Sequence, residues 1–215
     1  MRRRIFWFMA VLVIAGLGLG AFLLLPRIIG EVSYPLAYDN LIIKYSSERQ
    51  LDPFLVAGVI YSESHFHPTA VSPVGARGLM QLTPPTAQGI ANKLGLKNFQ
   101  VNDLFDPETN INFGTFHLQG LAGRYNSNID GMLAGYNGGG GVGDADVAGE
   151  RSTIPTETLH YVVNVKAAIQ KYKELYADRL SPATSVSVSV NGSTTATSDS
   201  LSNKIISSVV TFLQK

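Results

Sequence analysis

The residues best equipped for chemistry cluster between Asp52 and Gln81, where an apolar run ends in Glu63-Ser64 and leads into Gly75-Ala76-Arg77-Gly78-Leu79-Met80-Gln81. On a helix, Glu63 shares a face with Val59 and Ile60, four and three residues before it. Partial burial penalises its ionised form, and the negative end of the helix dipole acts in the same direction. Both raise its pKa, as a general acid at neutral pH requires. The competing reading turns Glu63 into solvent at a frayed helix end, where most glutamates sit. Gly75 and Gly78 permit a turn that brings backbone close to a ligand, and the Gln81 amide can both donate and accept hydrogen bonds. Alternatively, the glycines only make a turn and Gln81 is a surface residue.

Farther along, Tyr136 and Asn137 end a short apolar helix before the glycine run 138–141, which leaves their polar tips free to reach a cleft. No Lys followed by Ser or Thr closes that run, so it is not a phosphate loop. Tyr161 lies one turn after Glu157, and both face the cleft if their helix packs beside the one carrying Glu63. Equally, Tyr161 can be a half-buried structural residue and Glu157 a companion of the positive helix N-terminus. His65 and His67 lack a third patterned ligand and read as loop residues. No metal and no cofactor are expected.

The elements that must hold these groups are helical. Asp52 is a natural N-cap and Pro53 suits the first turn, which starts the Glu63 helix; it runs to about Ser64. Its residues Phe54, Leu55, Val56, Ala57, Val59 and Ile60 leave little polar face, so protein must surround it. Residues 35–50 precede it as a helix. Thr83-Pro84 opens a further helix that Gly95 closes, and Asp106-Pro107 opens another carrying Ile111, Leu118, Leu121 and Tyr125. A short helix covers residues 130–136. Pro155 begins a long last one with Leu159, Val162, Val163, Ile169, Tyr172 and Tyr176 as its buried stripe. No alternating strand pattern is convincing, which points to an all-α domain.

Four separated segments together resemble the lytic transglycosylase family, whose catalytic (SLT-type) domain is goose-lysozyme-like. They are Glu63-Ser64, Gly78-Leu79-Met80-Gln81, Gly135-Tyr136-Asn137 with the following glycines, and Glu157-Thr158 with Tyr161-Val162, within a resemblance spanning residues 34–176. Two positions depart from the family pattern. Gly135 replaces the usual alanine, a change expected to matter little sterically, and Thr83 stands where many members have methionine, which is expected to alter a contact to the sugar's N-acetyl group. The resemblance implies cleavage of the β-1,4 bond between N-acetylmuramic acid and N-acetylglucosamine in peptidoglycan, with formation of a 1,6-anhydro ring and no net addition of water. Glu63 would be the one catalytic residue, acid first and then base. Ser64, Met80, Gln81, Tyr136, Asn137, Glu157 and Tyr161 carry over as substrate-binding or supporting residues, with Tyr136 expected to orient Glu63. A muramidase-type hydrolase would need a second carboxylate, for which Asp103, Asp106, Asp144 and Asp146 are available. A non-catalytic, membrane-tethered wall-binding module is the more distant alternative.

The 215 residues suffice for one ordinary core. A net charge of +1 without a dense basic cluster in the body argues against nucleic acid. With no cysteine, there is no disulfide, thiolate metal site or lipidated thiol. Membrane attachment must then come from the N-terminus, where Arg2, Arg3 and Arg4 precede the uncharged run 5–25, long enough to cross a bilayer core of about 30 Å. The charge bias puts that end in the cytoplasm and the remainder outside the cell membrane; a cleaved signal peptide, and hence secretion, is the competing reading. The expected organisation is an anchor over 1–30, a catalytic domain over 31–178 and a flexible Ser/Thr-rich tail over 179–215. Within the tail, residues 205–213 read as a short amphipathic helix or a fraying end.

Overall fold

The computed structural model describes residues 2–181. The tail expected over 179–215 falls almost entirely outside them. Eight α-helices follow in order: α1 (Arg2–Ser33), α2 (Asp39–Arg49), α3 (Pro53–Ser64), α4 (Pro84–Lys93), α5 (Pro107–Arg124), α6 (Ile129–Gly138), α7 (Gly140–Val147) and α8 (Thr156–Leu180). Single turns of 3₁₀ helix lie at Val101–Phe105 and Arg151–Thr153. The described residues contain no named strand, only isolated bridges pairing Arg77 with Val71 and with Leu82. The all-α class is as expected.

Helix starts follow local chemistry. Asp52 accepts from the Phe54 amide at 2.9 Å, Asp106 from the Thr109 amide at 2.8 Å, and each stands directly before a proline. Thr83 caps α4 through the Thr86 amide and also bonds the Thr86 hydroxyl at 2.9 Å. Its hydroxyl therefore serves a helix end. The start of α2 comes later than the pattern suggested, because Pro35 keeps the chain extended and Tyr38 is left-handed at φ 59°.

Helix α3 lies at the centre of the larger core. Val56, Ala57, Val59 and Ile60 are fully buried, and Phe54 and Leu55 nearly so, among Ile42 and Tyr45 of α2, Ile111, Leu118 and Leu121 of α5, Met132 and Leu133 of α6, and Val165, Ile169 and Tyr172 of α8. Each such aliphatic side chain contributes about 1.5–3 kcal/mol through burial. A smaller cluster joins Ala87, Ile90 and Ala91 of α4 to Leu104 and Phe113, so α5 bridges both. Helices α3 and α8 approach to backbone contact at Gly58, where a Cβ would lie 2.8 Å from Ile169 Cγ1 and 3.3 Å from the Val165 carbonyl. That approach brings Glu63 and Tyr161 within reach of each other.

One expectation needs correction. Gly135 is sterically demanding: a Cβ would stand 2.9 Å from Tyr125 Cε2 and 3.3 Å from Leu121 Cδ2, so an alanine requires the Tyr125 ring to move. Helix α7 begins within the glycine run. Tyr125 Oη donates to the Gly140 carbonyl at 2.8 Å, and Arg124 grips Asp144 by two bonds of 3.0 and 2.6 Å. These contacts override the poor helix propensity of glycine.

The N-terminal helix α1 extends past the predicted run 5–25 and through Pro26 to Ser33. Its stretch Val13–Ser33 is long and apolar enough to cross a membrane.

Candidate active site

Glu63 sits in the last turn of α3, which stops because His65 and Phe66 both adopt left-handed backbone at φ 50° and 64°. Next to it, the buried Ser64 hydroxyl donates to the Leu79 carbonyl at 2.8 Å and lies 3.2 Å from that of Ile60. This ties the end of α3 to the Gly78–Gln81 segment. Glu63 does not turn into solvent: it is partly buried, and Tyr161 of α8 donates a 2.6 Å hydrogen bond to its Oε1. Burial pushes the Glu63 pKa up to about 7, and the Tyr161 bond, which favours the carboxylate, only partly offsets it. Burial and the nearby carboxyl hold the phenols of Tyr136 and Tyr161 well above their usual range, so both stay neutral donors.

The residue orienting Glu63 is therefore Tyr161, not Tyr136 as expected. Tyr136 instead donates to the Met80 carbonyl at 2.7 Å. Replacing Tyr161 with Phe removes a bond that favours the ionised form, so the alkaline limb of activity should move to higher pH as maximal turnover falls by about tenfold. A pH profile of catalytic activity checks this; an unmoved limb would show that Tyr161 does not tune Glu63.

The Gly78–Gln81 segment is held from beneath by Asn110 of α5, which sequence reasoning missed. Fully buried, its Oδ1 accepts from the Met80 amide at 2.7 Å while its Nδ2 donates to the carbonyls of Arg77 at 2.9 Å and Leu104 at 2.8 Å. Gly78, at φ 78°, presses so closely on the Asn110 amide and the Leu104 carbonyl that no side chain fits. The Met80 side chain is also fully buried, against Gly114, so what it offers the site is its backbone. Gln81, left-handed at φ 46°, spends its Nε2 on the carbonyls of Ala70 at 3.1 Å and Gly78 at 2.8 Å. Two carbonyl neighbours fix the amide orientation, leaving Oε1 to accept; the two-way amide expected of Gln81 becomes an acceptor.

On the α6 side the roles reverse. Asn137 is exposed and accepts at Oδ1 from the Thr158 hydroxyl at 2.8 Å, which leaves its NH₂ group to donate. Glu157 is exposed in the first turn of α8. The His117 ring of α5, also missed, lies 5.2 Å from that of Tyr136, and its pKa is lowered chiefly by burial, so it is neutral at neutral pH. Of the two loop histidines, His67 Nδ1 is 2.8 Å from the Ser64 carbonyl, and His65 packs on Tyr61 with ring centroids 4.5 Å apart.

The aspartates available for a second carboxylate are engaged elsewhere. Asp103 and Asp106 cap helical turns, Asp144 pairs with Arg124 at 2.6 Å, and Asp146 lies 3.8 Å from Arg151. The causes of the Glu63 shift include no neighbouring charge. Apart from the exposed Glu157, the site thus joins one proton-bearing carboxyl to neutral phenols and amides.

The sequence matches the Transglycosylase SLT domain model over residues 40–157, more than half of the chain. The chain belongs to the transglycosylase SLT domain family. As an SLT domain protein it is similar to the soluble lytic murein transglycosylase of Escherichia coli (strain K12), with 34% identity over 160 residues, 69% of this chain and 25% of that protein. It is 39% identical over 110 residues to the membrane-bound lytic murein transglycosylase F of Serratia proteamaculans (strain 568), which covers 48% of this chain and 20% of the relative. Among solved structures, the 70 kDa soluble lytic transglycosylase SLT70 from Escherichia coli superposes with a TM-score of 0.64 at 33% identity, over 70% of this chain and 26% of that one. An inactive Glu-to-Gln mutant of lytic transglycosylase Slt from Pseudomonas aeruginosa gives 0.62 at 28% identity, over 68% and 26%. The SLT domain chain thus spans about a quarter of the length of these relatives, and its all-α fold is the lysozyme-like one expected.

Proposed function

We propose that this chain is a membrane-anchored lytic transglycosylase that cleaves the β-1,4 bond between N-acetylmuramic acid and N-acetylglucosamine and leaves a 1,6-anhydromuramic end. The observation that carries this reading is Glu63: a carboxyl raised to about 7, held by a neutral phenol, with no second carboxylate contributing to its shift. Near neutral pH it is partly protonated, so it can give its proton to the glycosidic oxygen as the bond breaks. The resulting carboxylate then takes the proton of the muramyl C6 hydroxyl, whose oxygen attacks C1 and closes the ring. One group suffices because the second step returns the proton used in the first. Against a paired-carboxylate hydrolase, the four aspartates considered for its second member serve caps and ion pairs elsewhere among the described residues.

Substrate recognition falls to groups of fixed polarity. The Gln81 Oε1 acceptor and the Asn137 NH₂ donor suit the N–H and C=O of acetamido groups, with Tyr136, Glu157 and the backbone at Met80 in support. Ser64 acts indirectly by securing the end of α3. Apart from Glu157, these groups are neutral donors and acceptors, which suit an uncharged sugar backbone. Relatives named for action on murein and for membrane attachment support both halves of the reading. On it, residues 1–30 form the anchor, 31–178 the catalytic domain and 179–215 a tail. Arg2, Arg3 and Arg4 keep the first residues cytoplasmic, so the domain faces the wall.

Mass spectrometry of fragments released from purified wall tests the reading. Anhydro-muramyl ends, absent after Glu63→Gln, are expected. Reducing ends would mean a hydrolase, and no release by the wild type would mean a binding module.

A further inference from the structure

Helix α1 ends at Ser33 with its last carbonyls lacking helical partners, and no basic residue occupies its final turn to cap them. A tyrosine fills that role at Ser33, and two more hold the carbonyls of the next two residues, where the chain leaves the helix. Tyr61 of α3 donates to the Ser33 carbonyl at 3.1 Å, Tyr176 of α8 to that of Tyr34 at 2.8 Å, and Tyr172 of α8 to that of Pro35 at 2.7 Å. The Tyr34 ring completes the junction, stacking on Tyr61 at 4.7 Å and meeting Tyr172 edge-on at 6.2 Å. One turn earlier Gly30 lies against Leu175, where a Cβ would come 2.8 Å from Cδ2, so a small residue lets α1 settle on α8. One turn later Arg179 holds Asp39 at 2.7 Å, fastening the start of α2 to the same helix.

We propose that Tyr61, Tyr172 and Tyr176 are positioning residues that turn the exit of α1 into a rigid mount for the active site. The helices that supply the three hydroxyls are the ones that carry Glu63 and Tyr161, and Tyr61 precedes Glu63 by two residues. A helix fixed in a bilayer would thereby fix the orientation and height of the groove above it. A Gly/Ser tether would let the domain swing and reach strands at many heights; this junction confines it to strands close to the membrane. The proposal rests on the anchoring role given to α1.

The absence of cysteine makes the mount measurable in the full chain. Nitroxides on Leu24→Cys in α1 and on Val163→Cys in α8, both exposed although Val163 was expected in the buried stripe, give one inter-spin distance distribution in liposomes. A single narrow distribution is expected, broadening in Tyr61→Phe/Tyr172→Phe/Tyr176→Phe; should that variant not fold, Tyr61→Phe alone carries the comparison. A broad distribution in the parent chain, or no broadening in the variant, overturns the mount whether or not the chain cleaves glycan. The second readout is turnover by the same liposomes of free glycan fragments and of strands attached to lipid in the same bilayer. The variant should lose about tenfold on tethered strands and under about twofold on free ones. Equal losses on both would reduce the tyrosines to a structural role, whereas inactivity of the parent on either substrate would count against the transglycosylase reading alone.

Discussion

Glu63→Gln should abolish wall solubilisation while making the protein more stable at alkaline pH. A positioned general acid contributes about 10²–10⁴-fold, and here one group serves as acid and then base, so a loss of at least about 10³-fold is expected. The stability change follows from the same shift. With a folded pKa of about 7 against an ordinary 4.5, the native state holds a proton that the unfolded chain has released. Stability contributed by the protonated form is complete below the unfolded pKa and declines as pH rises toward 7. Above that, the parent keeps a desolvated charge at a cost of about 2–3 kcal/mol, after allowing for its partial exposure. Glutamine carries no such charge and still accepts from Tyr161. Thermal unfolding should therefore show the variant about 4–8 °C higher at pH 8, with the gap closing near pH 4. A gap that did not vary with pH would mean that Glu63 is not a buried acid.

Asn110→Ala should cost about 3–5 kcal/mol although the residue touches no substrate, because it removes a hydrogen bond from three backbone groups at once. The Met80 amide and the Leu104 carbonyl lose their bonds to it in the buried interior, while the Arg77 carbonyl keeps the Leu82 amide at 3.1 Å. In that interior a missing partner is not readily replaced by water. Asn110→Asp should do no better, since it preserves the acceptor for Met80 but faces both carbonyls with oxygen. Urea unfolding followed by far-ultraviolet circular dichroism measures the loss, and a change below about 1 kcal/mol would show that water reaches these groups. Activity should fall further than stability under conditions where the variant is still folded. The Met80 carbonyl anchors Tyr136, so loosening this segment displaces the wall of the site.

Local chemistry was legible in the chain itself. Asp52-Pro53, Thr83-Pro84 and Asp106-Pro107 announce three helix starts because a cap and a proline act within one turn. The apolar residues around Glu63 foretell its burial and the direction of its pKa, since helical periodicity relates residues three and four apart. Four ordered motifs likewise foretell the family. Tertiary structure alone decided the partnerships. Tyr136 and Tyr161 are chemically equivalent as candidates to hold Glu63, and the choice rests on how α8 lies against α3, across 98 residues of chain. Asn110 looks like any polar residue in a helix until folding delivers one amide and two carbonyls around it. Gln81 lost its donors to the carbonyl of Gly78 in its own turn and that of Ala70 farther back, and α7 formed through glycines because Tyr125 and Arg124 hold it there. Spacing along a chain specifies a neighbour one turn away; it carries no address for a partner brought by another helix.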